Sequence, residues 1–158
     1  MYTRARTEAA ISRWLMSSLS HPDVARQDWL AGRHAVLRTG VVFDAVRMHQ
    51  ALVHAAVGST QPDTVSGALA EIIDGPVISD PPVWFYALVP PGACEAWRSP
   101  YAQVRGPGGW LGVPRVDRVL PVGLHWSVPV EKVGRLCGPD TVAELLRAGA
   151  TCLEGTDR

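Results

Sequence analysis

Val83-Trp84-Phe85-Tyr86-Ala87-Leu88-Val89, closed by Pro90-Pro91-Gly92, is the stretch on which the fold turns. Seven apolar residues without a polar break suit a strand covered on both faces, and the Pro-Pro-Gly after them stops the ladder. Downstream, β-rich runs follow in quick succession at residues 101–105, 110–113 and 122–128. The gaps between them are too short for crossover helices, so the strands pair antiparallel or enter a mixed sheet. The last run alternates, with Val122, Leu124, Trp126 and Val128 on one face and Gly123, His125 and Ser127 on the other. Upstream, residues 76–79 predict a short strand. Residues 35–37 and 41–46 predict two more, separated by Thr39-Gly40 as a hairpin or tight connection.

Helical periodicity occupies the rest. Residues 3–19 place Ile11, Trp14, Leu15 and Leu19 on one side. Residues 22–30 predict a second helix that opens on Pro22 and turns Val24 and Trp29 inward. Residues 48–57 and 64–73 predict two more, the latter with Val65, Leu69, Ile72 and Ile73 together, and 93–97 a turn or two. A terminal helix over 139–148 carries Val142, Leu145 and Leu146, with Gly149 as its stop and a polar, frayed tail after Cys152. The expected class is α+β, a mostly antiparallel sheet with at least two long helices on one side. A single domain of residues 1–158 follows, with a helical segment 1–32 and a sheet-containing body 33–150.

Composition narrows the partners. Fifteen basic residues balance fifteen acidic ones, which leaves no global attraction to nucleic acid or to a membrane surface. Lys132 is the only lysine, and such Arg- and Ala-rich usage reads as the codon bias of a GC-rich genome. Cys94, Cys137 and Cys152 form no C-x-x-C pair, so neither a zinc knuckle nor a redox motif is indicated. No signal-peptide pattern and no apolar run of ~18 residues is found. The expectation is a cytoplasmic protein with reduced thiols and no membrane segment.

The chain has no G-x-S-x-G, Walker loop or H-E-x-x-H. The glycine-rich stretch Arg105-Gly106-Pro107-Gly108-Gly109-Trp110 lies between two strands, which removes the helix N-terminus that a dinucleotide loop needs. It reads either as a wide hairpin turn or as a place where missing side chains let a ligand meet the backbone, with Arg105 supplying charge. His49 and His54, five apart on a helix, point in different directions and predict no shared metal. Asp44 and Arg47 bracket the end of an apolar strand, Asp80 suits turn initiation, and His125 suits an exposed or supporting position. Trp84, Tyr86, Trp97, Tyr101, Trp110 and Trp126 concentrate in the second half, either as core or as stacking platforms for bases.

Three segments in order carry a resemblance: residues 84–92, ending in Val89-Pro90-Pro91-Gly92; residues 104–114, Val-Arg-Gly-Pro-Gly-Gly-Trp-Leu-Gly-Val-Pro; and residues 123–129, Gly-Leu-His-Trp-Ser-Val-Pro. Together with Val42-Phe43-Asp44-Ala45-Val46-Arg47 they resemble the bacterial bifunctional primase-polymerase domain, in particular short actinobacterial members, over about residues 35–130. The resemblance implies an RRM-like sheet that binds nucleoside triphosphate and template, with Mg²⁺ or Mn²⁺ held by carboxylates where the chemistry is retained. Here Gln103 and Val104 stand where the family has an acid before its Arg-Gly pair, no histidine occurs in 83–89, and Asp44 stands without a D-x-D partner. A lone carboxylate supplies too little charge for two-metal phosphoryl transfer. The reading is therefore a non-catalytic relative with no cofactor and no metal site, binding a nucleotide, single-stranded nucleic acid or a protein partner. Its candidate site is Asp44, Arg47, Arg105, Gly106, Gly108, Trp110 and Arg115. The alternative is a regulatory or structural interaction protein with no nucleotide site. A third reading is a small-molecule enzyme using Asp44, Asp80 or His125.

Overall fold

The computed structural model describes residues 2–156. In chain order the elements are α1 (Tyr2–Met16), α2 (Asp23–Leu30), β1 (Ala35–Arg38), β2 (Asp44–His49), α3 (Gln50–Val57), α4 (Pro62–Ile72), β3 (Val77–Asp80), β4 (Trp84–Val89), α5 (Ala93–Ala96), β5 (Gln103–Arg105), β6 (Trp110–Val113), β7 (His125–Val128) and α6 (Pro139–Thr156). Five strands form one sheet in the order β5-β2-β4-β3-β7, every neighbouring pair antiparallel. The α+β class with an antiparallel sheet is as expected. Strands β2 and β3 run parallel with β4 between them and α3–α4 in the connection. This is the split βαβ arrangement of ferredoxin-like sheets, with β7 added at the edge.

The apolar run around β4 lies in the middle of that sheet, and both its faces are covered. Phe85, Ala87 and Val89 join Val46, Met48 and Val77 under α3, α4 and α6. Tyr86 and Leu88 join Ala45, Ile78 and Trp126 against α1, α2 and the inner side of the β1–β6 ribbon. The N-terminal helices therefore share a core with the sheet, through Ile11, Leu15, Ala25 and Trp29. Among the described residues no helix is long and apolar enough to cross a membrane.

Four local expectations are corrected. The runs beside Thr39-Gly40 do not pair with each other, because β1 pairs with β6 in a separate two-stranded sheet; Gly40, at φ 88°, turns the chain between sheets and leaves room for the Pro107 backbone. In α2 it is Ala25 that is buried, while Val24 is exposed. Strand β7 does not alternate to its end: an irregularity opposite Val77 and Ile78 brings Val128 to the side of α6, and all four β7 residues are buried. Finally, α6 runs through Gly149 to Thr156. A Cβ at Gly149 would lie 2.2 Å from the Leu52 carbonyl oxygen, so the glycine is where α6 touches α3.

Candidate nucleic-acid interface

The expected site residues separate into three places. Arg47 and Arg105 come together on the sheet face opposite α3, α4 and α6. Pairing fixes this: Arg47 sits across from Tyr86 on β4 and from Gln103 on β5, and Arg105 sits across from Ala45. Directly paired residues point the same way, so Arg47, His49, Trp84, Tyr86, Gln103 and Arg105 form one layer. The Arg47 guanidinium lies 4.2 Å from the Trp84 ring centre and donates to Gln103 Oε1 at 3.2 Å. The Arg105 guanidinium lies 5.2 Å from the Tyr86 ring and donates to the Trp110 carbonyl at 2.9 Å. His49 meets Trp84 edge-on at 5.5 Å. On the adjoining ribbon Arg38 lies 5.5 Å from Trp110, whose side is 51% exposed.

The layer is thus a set of cations resting on aromatic rings. Among the described residues no carboxylate pairs with Arg47 or Arg105, so their charge is unspent. Stacking holds each planar fork in place and leaves its outer N–H groups to solvent. Tyr86 is buried and Trp84 half-buried beneath Arg47, so the layer can offer its guanidiniums to phosphate oxygens while the exposed Trp110 offers the ring on which a base can stack.

Asp44 belongs elsewhere. It shares a side with Val46 and Met48, is fully buried, and accepts the Gly92 and Cys94 N–H groups through Oδ2 at 3.1 Å each. Its second oxygen, Oδ1, has no hydrogen-bond partner. Burial, reinforced by this carboxylate, pushes the Cys94 thiol up. Asp44 therefore ties β2 to the Pro-Pro-Gly turn. The glycine loop is also packed rather than open. A Cβ at Gly106 would meet Cys94 Sγ at 2.4 Å and one at Gly109 would meet Thr39 Oγ1 at 2.5 Å, whereas Gly108, at φ 85°, faces open space. Thr39 clamps the loop by donating to the Gly106 carbonyl at 2.6 Å. Arg115 lies beyond the far end of the ribbon, paired in a bidentate manner with Asp117 at 2.6 and 2.9 Å, which raises the guanidinium's pKa and lowers the carboxyl's. Arg98 lines a groove against α6 with Tyr101 and Glu144, apart from the layer.

Two features escaped the sequence reading. His125 is buried, not exposed, and its Nδ1 donates to the Gly123 carbonyl at 2.8 Å, which leaves Nε2 as the free nitrogen. It lines a cavity of about 110 Å³ with Gln50, His54, Ser66, Ser79 and Ser127. There Ser66 and Ser127 hydroxyls meet at 3.0 Å, Gln50 Nε2 donates to Ser79 at 3.2 Å, and burial lowers the pKa of His54. Second, Trp84 and Tyr86 share the arginine layer, although the unbroken apolar run gave no sign of which residues faced it. Among the described residues no group of three or more His, Cys, Asp or Glu side chains is placed to hold a metal ion. Comparison with protein-family models, with curated proteins and with solved structures returns no match for this chain.

Proposed function

We propose that the chain is a primase-polymerase-like domain that has kept the sheet as a binding surface for a nucleotide or single-stranded nucleic acid and has lost catalysis. The observation that carries the reading is the layer itself: Arg47 over Trp84 and Arg105 over Tyr86 on one sheet face, continued by Arg38 over an exposed Trp110. Loss of catalysis is supported by the chemistry of the same face. Arg47 and Gln103 face each other across β2 and β5; the guanidinium repels a divalent cation, and the neutral amide brings none of the negative charge that carboxylates would supply. Asp44, the carboxylate that the primase resemblance singles out, points to the other side and is already bonded to two backbone N–H groups.

The test is fluorescence anisotropy with a labelled ten-nucleotide oligo(dT) and, separately, ATP at low salt. Saturable binding is expected. Trp110→Ala, at the exposed ring, is expected to weaken it by about 1–3 kcal/mol per stacked base, roughly five- to 150-fold, and Arg105→Ala to weaken it through loss of a phosphate contact. The Arg105→Ala melting temperature should stay within ~2 °C of the parent, since an Arg lying on a ring at the surface adds little stability. Template-dependent extension with Mg²⁺ or Mn²⁺ should give no product. Absence of saturable binding to both probes would replace this reading with the interaction-protein one.

A further inference from the structure

The end of the β1–β6 ribbon away from Trp110 opens into a cleft of about 550 Å³, lined by Trp29, Arg33, His34, Pro114, Arg115, Arg118 and Leu124, with Gly32 at its edge. That volume lies within the range of small-molecule sites. Its chemistry has two parts.

One part is cationic. Arg33 is oriented by Asp28, which accepts from Nη2 at 3.0 Å, and Arg115 is oriented by the bidentate contact with Asp117. Neither carboxylate lines the cleft, and each holds its guanidinium by a direct contact. Among the described residues no hydrogen bond or ion pair engages the Arg118 side chain, whose charge reaches Asp117 only at a distance, and His34 adds an imidazole beside Gly112, where a Cβ would come within 3.3 Å of the ring. Three guanidiniums, two held by carboxylates and one without an ion pair among the described residues, bring N–H donors and positive charge of the kind a phosphate group takes.

The other part is apolar and rigid. Trp29 is almost wholly buried, and its indole N–H donates to the Val113 carbonyl at 2.9 Å, so the ring cannot swing into the cleft. Pro114 and Leu124 complete that wall. An inorganic ion would leave this wall unused.

We propose that this cleft is a second ligand site, separate from the arginine–aromatic layer, and that it takes a phosphomonoester whose phosphate meets Arg33, Arg115 and Arg118 while an apolar or aromatic body rests against Trp29, Pro114 and Leu124. Arg118 is its capturing group, because of the three arginines it is the one without a direct ion pair among the described residues. The proposal does not depend on the nucleic-acid reading, since no residue is shared between the two surfaces.

The experiment is isothermal titration of the full chain with phenyl phosphate, with inorganic phosphate and phenol as the two halves of the ligand. Phenyl phosphate should bind saturably and more tightly than inorganic phosphate, and phenol should not bind. Arg118→Ala, at an exposed position, should keep the parent melting temperature and weaken phenyl phosphate about tenfold or more, the usual effect of losing a charge-assisted hydrogen bond. Arg105→Ala should leave it unchanged. The proposal fails if phenyl phosphate does not saturate, if phenol binds as tightly, if inorganic phosphate binds as tightly as its ester, or if Arg118→Ala has no effect. Loss of phenyl phosphate binding in Arg105→Ala alone would place that ligand on the sheet face and also overturn it. Oligo(dT) binding can fail while phenyl phosphate binds, and the reverse, so the two readings stand or fall apart.

Discussion

Asp44 shows how one carboxylate can satisfy a sequence pattern and serve a different end. A catalytic acid must present an oxygen to a cavity, yet Asp44 is fully buried and spends Oδ2 on the Gly92 and Cys94 N–H groups. Those donors open the short α5, and with no such acceptor they would be unpaired at the Pro-Pro-Gly turn. Asp44→Ala should therefore destabilise the fold by about 1–3 kcal/mol, the penalty for stranding buried donors, while leaving oligo(dT) affinity unchanged. Asp44→Asn keeps one acceptor, its amide oxygen, for these two N–H groups and should cost less. Urea denaturation at neutral pH measures both. A larger loss of binding than of stability would return Asp44 to the site.

At the scale of elements, two helical glycines separate propensity from packing. Gly67 lies within α4 with nothing near its missing Cβ, whereas a Cβ at Gly149 would enter the Leu52 carbonyl at 2.2 Å and Leu52 Cα at 3.4 Å. Gly67→Ala should stabilise by about 0.5–1 kcal/mol, because alanine loses less backbone freedom on folding. Gly149→Ala gains the same helix propensity but must push α6 off α3, and overpacking of about 1–3 kcal/mol should win. Paired melting curves decide it: both variants moving the same way would mean that the α3–α6 approach is softer than described. The same contrast explains what was legible in the chain. Local periodicity placed the helices, because Val65 and Leu69, or Val142, Leu145 and Leu146, mark one face within a few turns. It could not show that α6 passes Gly149, since the reason for that glycine lies 97 residues upstream at Leu52. Nor could it pair β1 with β6, which are joined only through the register of Ala35 with Val113 and Arg38 with Trp110. The site was legible in the same proportion. Arg47, Arg105 and Trp110 were found as charged or aromatic residues at strand ends, but Trp84 and Tyr86 sit in a run buried on both faces, where alternation carries no signal. The polar cavity went unseen because His54, Ser66, Ser79 and His125 converge from α3, α4, β3 and β7.

For the whole molecule, the balance of fifteen basic and fifteen acidic residues means that attraction to a polyanion must come from the local arrangement of charge. The sheet face and the adjoining ribbon offer three such cations, Arg47 and Arg105 on the face and Arg38 on the ribbon, each held on a ring. Other arginines are partly neutralised where they stand, Arg26 by Asp23, Arg135 by Asp74 and Arg147 by Glu144. Binding of single-stranded DNA should then release few counterions. With about 0.7 released per phosphate neutralised on a single strand, two or three contacts give a slope of log K against log salt of about −1.4 to −2.1. Arg38→Ala, which removes the cation resting on the exposed Trp110, should reduce the steepness by about 0.7 while preserving most of the affinity at high salt, because stacking on Trp110 is not screened. Anisotropy titrations across a salt series measure both quantities. A slope steeper than about −4 would require charges outside this face and would move the interface toward the arginine-lined cleft at the other end of the ribbon. A slope near zero with tight binding would assign the affinity to the aromatic rings alone, and the arginines would then serve to hold those rings in place.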